Sequence, residues 1–339
     1  MRSKLPLAVL LAVAAWALLA LGAYVGVRLQ SDTSKKTLVF VGDSFTGNYR
    51  FAKPQRLQDL AETALAPTWQ VFNYGRPGAF ALDILLQLQE AQRFSGRVDA
   101  VVLPLFVSKF LVTGPYARLD ERGDNLRWLR LDSTACDVVA TFGTELWKKL
   151  VIHKAGLLFA VYDLLQYAYI EAVQSPQERD HMRTNPPERR VAIEAHVIGH
   201  ARTWDTTTLT PANFLDSPAA RDFRLFVAYA KAEHIPLLIA LIPNGDPEEI
   251  ALQFSPRAKA NLDMARVQML DWCQQQGVAA VDLTDRLGGH VYDDFTHLKD
   301  VRGNRVIVDA VQRWVAGGTQ LVRQLAAAPQ ASWAVKRTN

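Results

Sequence analysis

Cysteine is scarce in this chain, with two residues in 339, Cys136 and Cys273. Two cysteines are too few for a disulfide framework, and neither lies in a pattern typical of metal binding or of a nucleophile. Cys273 lies in a segment typical of a helix core. A bridge between the two thiols could form in an oxidising compartment, but the sequence does not indicate one. We expect no cofactor.

The chain also lacks a large excess of charge of one sign, and this limits the kinds of binding partner that can be expected. The chain has 38 Lys and Arg against 34 Asp and Glu, a net charge of +4. No basic stripe is interleaved with aromatic residues, so a nucleic-acid partner is not expected. Lys148, Lys149 and Lys154 lie near apolar residues and could face anionic lipid, although a solvated helix face explains them more simply. The chain has no internal repeat and no low-complexity tract.

Long hydrophobic runs are absent except at the N-terminus, where Leu5 to Val27 carries no charge. As a helix this run would be roughly 34 Å long, against about 30 Å for the hydrocarbon core of a bilayer. A cleavable signal peptide has a shorter apolar region, of about 7–15 residues. We therefore expect residues 1–30 to be an uncleaved membrane anchor, although small residues at 20, 22 and 23 leave cleavage open.

The charges flanking this run predict its orientation. Arg2 and Lys4 favour a cytoplasmic N-terminus, whereas Arg28, Lys35 and Lys36 on the other side weaken that reading. We expect a single-pass inner-membrane protein whose main domain is periplasmic, or otherwise outside the cytoplasm.

The remainder of the chain alternates between strand and helix patterns. Predicted strands cover 37–41, 69–73, 98–106, 235–242 and 278–283. Predicted helices cover about 54–65, 82–94, 221–233, 256–276 and 303–325. Such alternation predicts a parallel sheet with helices on both faces. We place a linker at 31–36, one domain at 37–326 with a helical insertion at about 111–222, and a tail at 327–339.

Two short segments contain groups that suit nucleophilic catalysis. The first strand ends in Gly42-Asp43-Ser44, and near the C-terminus stands Asp294-Phe295-Thr296-His297. A hydroxyl, an imidazole base and a carboxylate that orients it are the groups required for acyl transfer. Asp293 is a rival to Asp294, but the three-residue spacing favours Asp294. We expect Asp43 to cap the following helix.

The candidate residues share a location, because active groups in parallel sheets collect beyond the carboxyl ends of the strands. The candidates at or after predicted strand ends are Ser44, Gly78, Lys109, Asn244, Asp294 and His297.

These blocks resemble those of the SGNH/GDSL hydrolase superfamily. Gly42-Asp43-Ser44 resembles the first block, Asn73-Tyr74-Gly75-Arg76-Pro77-Gly78 the second, and Asp294-x-x-His297 the last, with Leu298 and Gly303 continuing it. The resemblance implies a flavodoxin-like three-layer sandwich with about five parallel strands. It also implies Ser44 as nucleophile, His297 as base and Asp294 as its partner, with the backbone N–H groups of Ser44 and Gly78 in the oxyanion hole.

The third block departs from the family pattern. Where the family has an Asn after the third strand, this chain has Leu105-Phe106-Val107-Ser108-Lys109, and Lys109 aligns best with that Asn. Lys109 could donate to the oxyanion, bind an anionic part of the substrate or point to solvent.

A zinc site is the weaker alternative. His196 and His200 have an i, i+4 spacing that can bind zinc on a helix, but no Glu follows His196 and no third ligand is evident. We expect no metal.

Two functions are compatible with these features. Anchored proteins of this type resemble periplasmic partners of polytopic membrane acyltransferases. This resemblance implies an esterase or O-acyltransferase that takes an acyl donor and acts on an envelope or exported glycan, or on a small ester. The alternative is a catalytically weak or inactive subunit that binds the glycan or forms a scaffold.

Overall fold

The computed structural model describes residues 32–48, 51–76, 79, 81–110, 218–243, 256–287, 298 and 300–327. Five strands are described: β1 Lys36–Phe40, β2 Trp69–Asn73, β3 Ala100–Phe106, β4 Leu237–Ile242 and β5 Ala279–Asp282. The described α-helices are α1 Ser44–Gly47, α2 Leu57–Leu65, α3 Ala81–Ser95, α4 Pro218–Ala232, α5 Pro256–Gln275 and α6 Val301–Ala327. Short 3-10 helices follow β3 at Val107–Phe110 and β5 at Thr284–Arg286.

The strands form one parallel sheet in the order β2-β1-β3-β4-β5. Phe40, the last residue of β1, pairs with Asn73 on one side and with Val102 on the other. This order is the flavodoxin-like one, so the predicted five-stranded parallel sheet is confirmed.

The sheet separates two hydrophobic cores because successive side chains of a strand point to opposite faces. Val39 of β1 packs with α3, α4 and α5 on one face, and Leu38 packs with α2 and α6 on the other. All seven residues of β3 are buried, as expected for a strand covered on both sides. The predicted three-layer arrangement is therefore confirmed.

Helix and strand bounds agree with the sequence patterns to within a few residues. Helix α4, for example, begins at Pro218 rather than near Arg221. Proline suits the first position of a helix because its missing N–H would have no intrahelical partner there. Cys273 is a free thiol buried within α5, and burial raises its pKa to about 12.

Several predicted features lie outside the described residues: the anchor at 1–30, Cys136, most of the insertion at 111–222, and the tail from 328. Among the helices in the described ranges, none combines the length and the apolar character needed to cross a bilayer.

Candidate active site

Ser44 lies at the carboxyl end of β1, next to the point where the strand order of the sheet reverses. It is the first residue of α1, directly after the turn that follows β1. β1 stands between β2 and β3, so its carboxyl end borders the point where the strand order reverses. Ligands of open parallel sheets bind in the crevice at this switch point. The side chain of Ser44 is only partly buried, whereas Phe45 beside it is 2% exposed.

The turn before Ser44 requires glycine at position 42. Gly42 has φ +146°, a value that residues with a side chain rarely adopt. A Cβ atom there would lie 2.2 Å from Thr46 Oγ1. The side-chain amide of Gln87 holds both polar groups of this glycine: Gly42 N–H donates to Oε1 at 2.7 Å, and Nε2 donates to the Gly42 carbonyl at 2.9 Å. The turn is thus fixed from α3.

Asp43 caps α1, as predicted. Its Oδ1 accepts a hydrogen bond from Phe45 N–H at 2.9 Å, and its carbonyl accepts from Gly47 N–H. Phe45 packs edge-on against Phe106 at the end of β3, with 5.3 Å between ring centroids. These contacts tie the residues on both sides of Ser44 to the core.

Asn48 ends α1 and joins it to α6. Its backbone is in the left-handed region at φ 55°, and its N–H donates to the Ser44 carbonyl. The side-chain amides of Asn48 and Asn304 exchange two hydrogen bonds of 2.9 Å each. Asn304 Nδ2 also donates to the Gln55 carbonyl at 3.0 Å. This amide pair, Asn48 with Asn304, connects residues 256 positions apart.

The segment after β2 packs closely against α1. Asn73 Nδ2 donates to the Thr46 carbonyl at 2.6 Å, and its Oδ1 accepts from Gly75 N–H at 2.9 Å. At Gly75 a Cβ atom would lie 2.6 Å from Gly47 N and 2.8 Å from Thr46 Cβ. A glycine is therefore needed where this segment crosses the serine-bearing helix.

We expect Gly75→Ala to lower the free energy of unfolding by about 3 kcal/mol, because the new methyl group overlaps backbone atoms that cannot rotate away. Denaturant unfolding measures this loss. The control is Gly277→Ala, at φ +69° with no atom within 4 Å of the added Cβ. This control should lower the free energy of unfolding by only about 1 kcal/mol, the cost of placing alanine in a left-handed backbone conformation. Equal losses in the two variants would contradict the steric explanation.

Arg76 continues this segment and is fixed at two points. Its N–H donates to the Gly42 carbonyl at 3.0 Å, and its guanidinium forms an ion pair with Glu90 of α3 at 2.5 Å. The Glu90 side chain is only 9% exposed. Ala79 N–H donates to the Arg76 carbonyl at 3.1 Å. Gly78, the predicted oxyanion donor, lies outside the described residues.

Other predicted site residues lie partly or wholly outside the described residues. The backbone of Lys109 lies in the 3-10 helix that follows β3, and its side chain is outside the description, whereas the neighbouring Ser108 is buried. Asp294 and His297 lie outside it as well, as do Asp293 and Asn244. The structure thus places Ser44 at the expected edge, and the assembly of the triad stays a prediction.

The residue after His297 is described and is anchored on α6. Leu298 is 3% exposed and belongs to the core formed with α2 and α6. A Cβ atom on Gly303 would lie 2.7 Å from a Leu298 methyl carbon, so the two residues are in direct contact.

No metal site is found in the described ranges, where His, Cys, Asp and Glu side chains form no group of three or more. His196 and His200 lie outside these ranges.

A buried carboxyl group, Asp222, lies on α4 where this helix packs against α3. Asp222 is 6% exposed, and its Oδ1 has no hydrogen-bond partner among the described residues. Burial raises the pKa of Asp222 to about 7; the nearby Arg221 opposes this rise and Asp83 adds to it. Asp83 is itself buried, in the first turn of α3. No sequence motif marks this carboxyl group.

The amides that hold the turn were not predicted from the sequence. The burial of Asn304 could have been predicted, because Asn304 shares the apolar stripe of α6 with Ile307, Val308 and Val311, which follow it by three, four and seven positions. The sequence around Gln87 does not indicate its role, since Gln87 stands among leucines in a helix with no clear polar face.

No family model matches the chain, and no curated protein sequence does either. Solved structures do match. A GDSL-like lipase from Bacteroides thetaiotaomicron is 10% identical with a TM-score of 0.41, the match covering 90% of this chain and 98% of that one. A member of the lipolytic G-D-S-L family from Veillonella parvula is 9% identical with a TM-score of 0.39, and the match covers 83% of this chain and 98% of that one.

A catalytic mutant of an acetylxylan esterase from Geobacillus stearothermophilus is 12% identical with a TM-score of 0.38, the match covering 84% of this chain and 95% of that one. Identities and scores this low do not indicate a substrate. The chain resembles the SGNH/GDSL superfamily in its Gly42-Asp43-Ser44 turn and in the order of its sheet, and solved structures that it matches bear the names of that family's enzymes.

Proposed function

We propose that this chain is a serine acyl-ester enzyme in which Ser44 attacks the acyl carbonyl. The observation that supports the proposal is the position of Ser44: a partly exposed serine at the switch point of a parallel sheet, on a turn held by buried hydrogen bonds. A hydroxyl without a base is a poor nucleophile at neutral pH, so the proposal also requires His297.

The proposed reaction proceeds through an acyl-enzyme. His297 takes the proton of Ser44 Oγ as Oγ bonds to the carbonyl carbon, and returns it to the leaving alcohol as the ester bond breaks. Asp294 orients the imidazole through its other nitrogen. The oxyanion receives hydrogen bonds from the N–H groups of Ser44 and Gly78, each worth roughly 2.7–4 kcal/mol of barrier. Water or a sugar hydroxyl then accepts the acyl group.

The test is covalent labelling of the full-length protein by a fluorophosphonate probe, followed by peptide mapping. We expect one adduct, on the peptide that contains Ser44. Ser34 is the internal control, because this serine is exposed and hydrogen-bonds to the Asp32 carboxylate rather than to an imidazole. No adduct at Ser44, under conditions in which the protein is folded, would contradict the proposal and favour the alternative of a glycan-binding or scaffold subunit.

Lys109 gives a second test of the site. If its side chain donates to the oxyanion, Lys109→Ala should lower kcat by about 10²-fold with little change in KM, because the bond strengthens in the transition state. If it binds an anionic part of the substrate, KM should rise while kcat holds. Steady-state kinetics with a neutral and an anionic ester separate the two roles, and wild-type values for both would leave Lys109 a solvated side chain.

We also propose that the enzyme is tethered to the inner membrane with its main domain outside the cytoplasm. The apolar run from Leu5 to Val27, preceded by Arg2 and Lys4, supports this topology. Alkaline phosphatase fused after Asn339 should be active in this orientation. An inactive phosphatase fusion together with an active cytoplasmic reporter would reverse it.

Acyl transfer to an envelope or exported glycan, with a polytopic membrane acyltransferase as partner, is the more specific form of the proposal. A tether would keep the enzyme beside such a partner and its glycan. Purified protein given an activated acetyl ester and an oligosaccharide should then form acetylated oligosaccharide. Release of acetate alone would indicate an esterase.

A further inference from the structure

The amide pair, Asn48 with Asn304, joins the helix that carries Ser44 to the helix that follows His297. Asn48 is 5% exposed and Asn304 is fully buried, so both amides are removed from water. The large majority of buried polar groups in proteins are hydrogen-bonded, and each amide here both donates to the other and accepts from it. The two reciprocal hydrogen bonds fix the relative orientation of the two amides as well as the distance between them.

On the nucleophile side the connection is short. Asn48 N–H donates to the carbonyl of Ser44 at 3.1 Å, and Asn48 Nδ2 lies 3.4 Å from the Phe45 carbonyl. A movement of Asn48 therefore moves the backbone of the serine itself.

On the other side, Asn304 stands in the first turn of α6, seven residues after His297. Leu298, between them in the sequence, is buried in the core and packs against Gly303. The start of α6 is thus in contact with Leu298, the residue that follows His297 in the sequence, and Asn304 joins the start of α6 to α1.

We propose that Asn48 and Asn304 are positioning residues: their reciprocal amide bonds set the approach of Ser44 to the segment that carries its base. This role rests on the proposed function. A misplacement of about 1 Å between reacting groups can cost about 10²-fold in rate, so a pair that fixes this spacing has a kinetic effect far from the reacting atoms.

The variants are chosen to remove the amides with little change elsewhere. Asn48→Gly deletes one amide and keeps the left-handed backbone at φ 55°, which glycine adopts readily. Asn304→Ala deletes the other. Gln70→Ala is the matched control, because it removes a buried amide that bonds to Thr37 Oγ1 near the amino end of the same sheet.

We expect Asn48→Gly and Asn304→Ala each to lower kcat and the rate constant of fluorophosphonate labelling about 10-fold or more, with KM within about twofold. The double variant should fall little below either single one, because the two residues act as one unit. Gln70→Ala should lose stability and keep kcat. All rates are measured well below the Tm of each variant.

Folded single variants that keep the wild-type kcat, or lose no more than Gln70→Ala, would overturn the positioning role while Ser44 still labels. If Asn304→Ala does not fold, the kcat and labelling rate of Asn48→Gly alone decide whether the positioning role holds. A wild-type protein that never labels at Ser44 would instead overturn the proposed function.

Discussion

Replacing Ser44 with alanine should lower kcat for an activated acetyl ester on the order of 10⁴-fold or more and abolish fluorophosphonate labelling. The substitution removes the oxygen proposed to form the acyl-enzyme and keeps the hydrogen bonds that Gln87 and Asp43 make to the turn. The Ser44 side chain is partly exposed, so the free energy of unfolding should change by less than about 1 kcal/mol.

The matched control is Ser34→Ala, at an exposed serine outside the site, which should keep both activity and labelling. A Ser44→Ala protein that retained a tenth of the wild-type kcat would contradict a nucleophilic role for Ser44, even if the residue reacted with the probe.

Replacing Asp222 with asparagine should stabilise the protein by up to about 4 kcal/mol at pH 8 and have little effect at pH 4. The folded-state pKa of Asp222 is raised to about 7 from the usual 3.8. Well below pH 4 the carboxyl is protonated in both states, so its ionisation does not affect stability. Between pH 4 and 7 the unfolded chain releases the proton and the folded chain keeps it, so stability falls as pH rises, and above pH 7 the loss is complete.

Asparagine has the shape of the protonated acid and does not titrate. Urea unfolding of wild-type protein and Asp222→Asn across pH 4–8 measures the difference between their slopes. Asp309→Asn on α6 is the control, because it makes the same substitution at an exposed aspartate. Parallel pH profiles for wild type and Asp222→Asn would show that the Asp222 carboxyl is not buried in solution as it is in the structure.

Much of the fold could be read from the sequence because apolar periodicity records burial directly. β3 was predicted as a strand covered on both faces, and all of its residues are buried. The position of Ser44 followed from the same pattern, since a buried strand ending in Gly-Asp-Ser places the serine at the carboxyl edge of the sheet.

The contacts around the serine could not be predicted in the same way. Gln87 reaches Gly42 across 45 positions, and Asn48 reaches Asn304 across 256. A single polar residue in a helix pattern does not reveal its partner, because the match depends on how the helices pack on the sheet. Asn304, polar on an apolar stripe, could at most be recognised as a buried amide in need of a partner.

The groups that hold the turn at Ser44 include several neutral side-chain amides, those of Gln87, Asn73, Asn48 and Asn304. Dissolved salt screens interactions between exposed charges over about 8 Å at physiological ionic strength, but it leaves buried bonds between uncharged groups largely intact. The contacts made by these four amides should therefore be the same in dilute and concentrated salt. A change of kcat/KM with ionic strength would then report the charge of the substrate and of the groups it meets on approach, rather than a rearrangement of the turn.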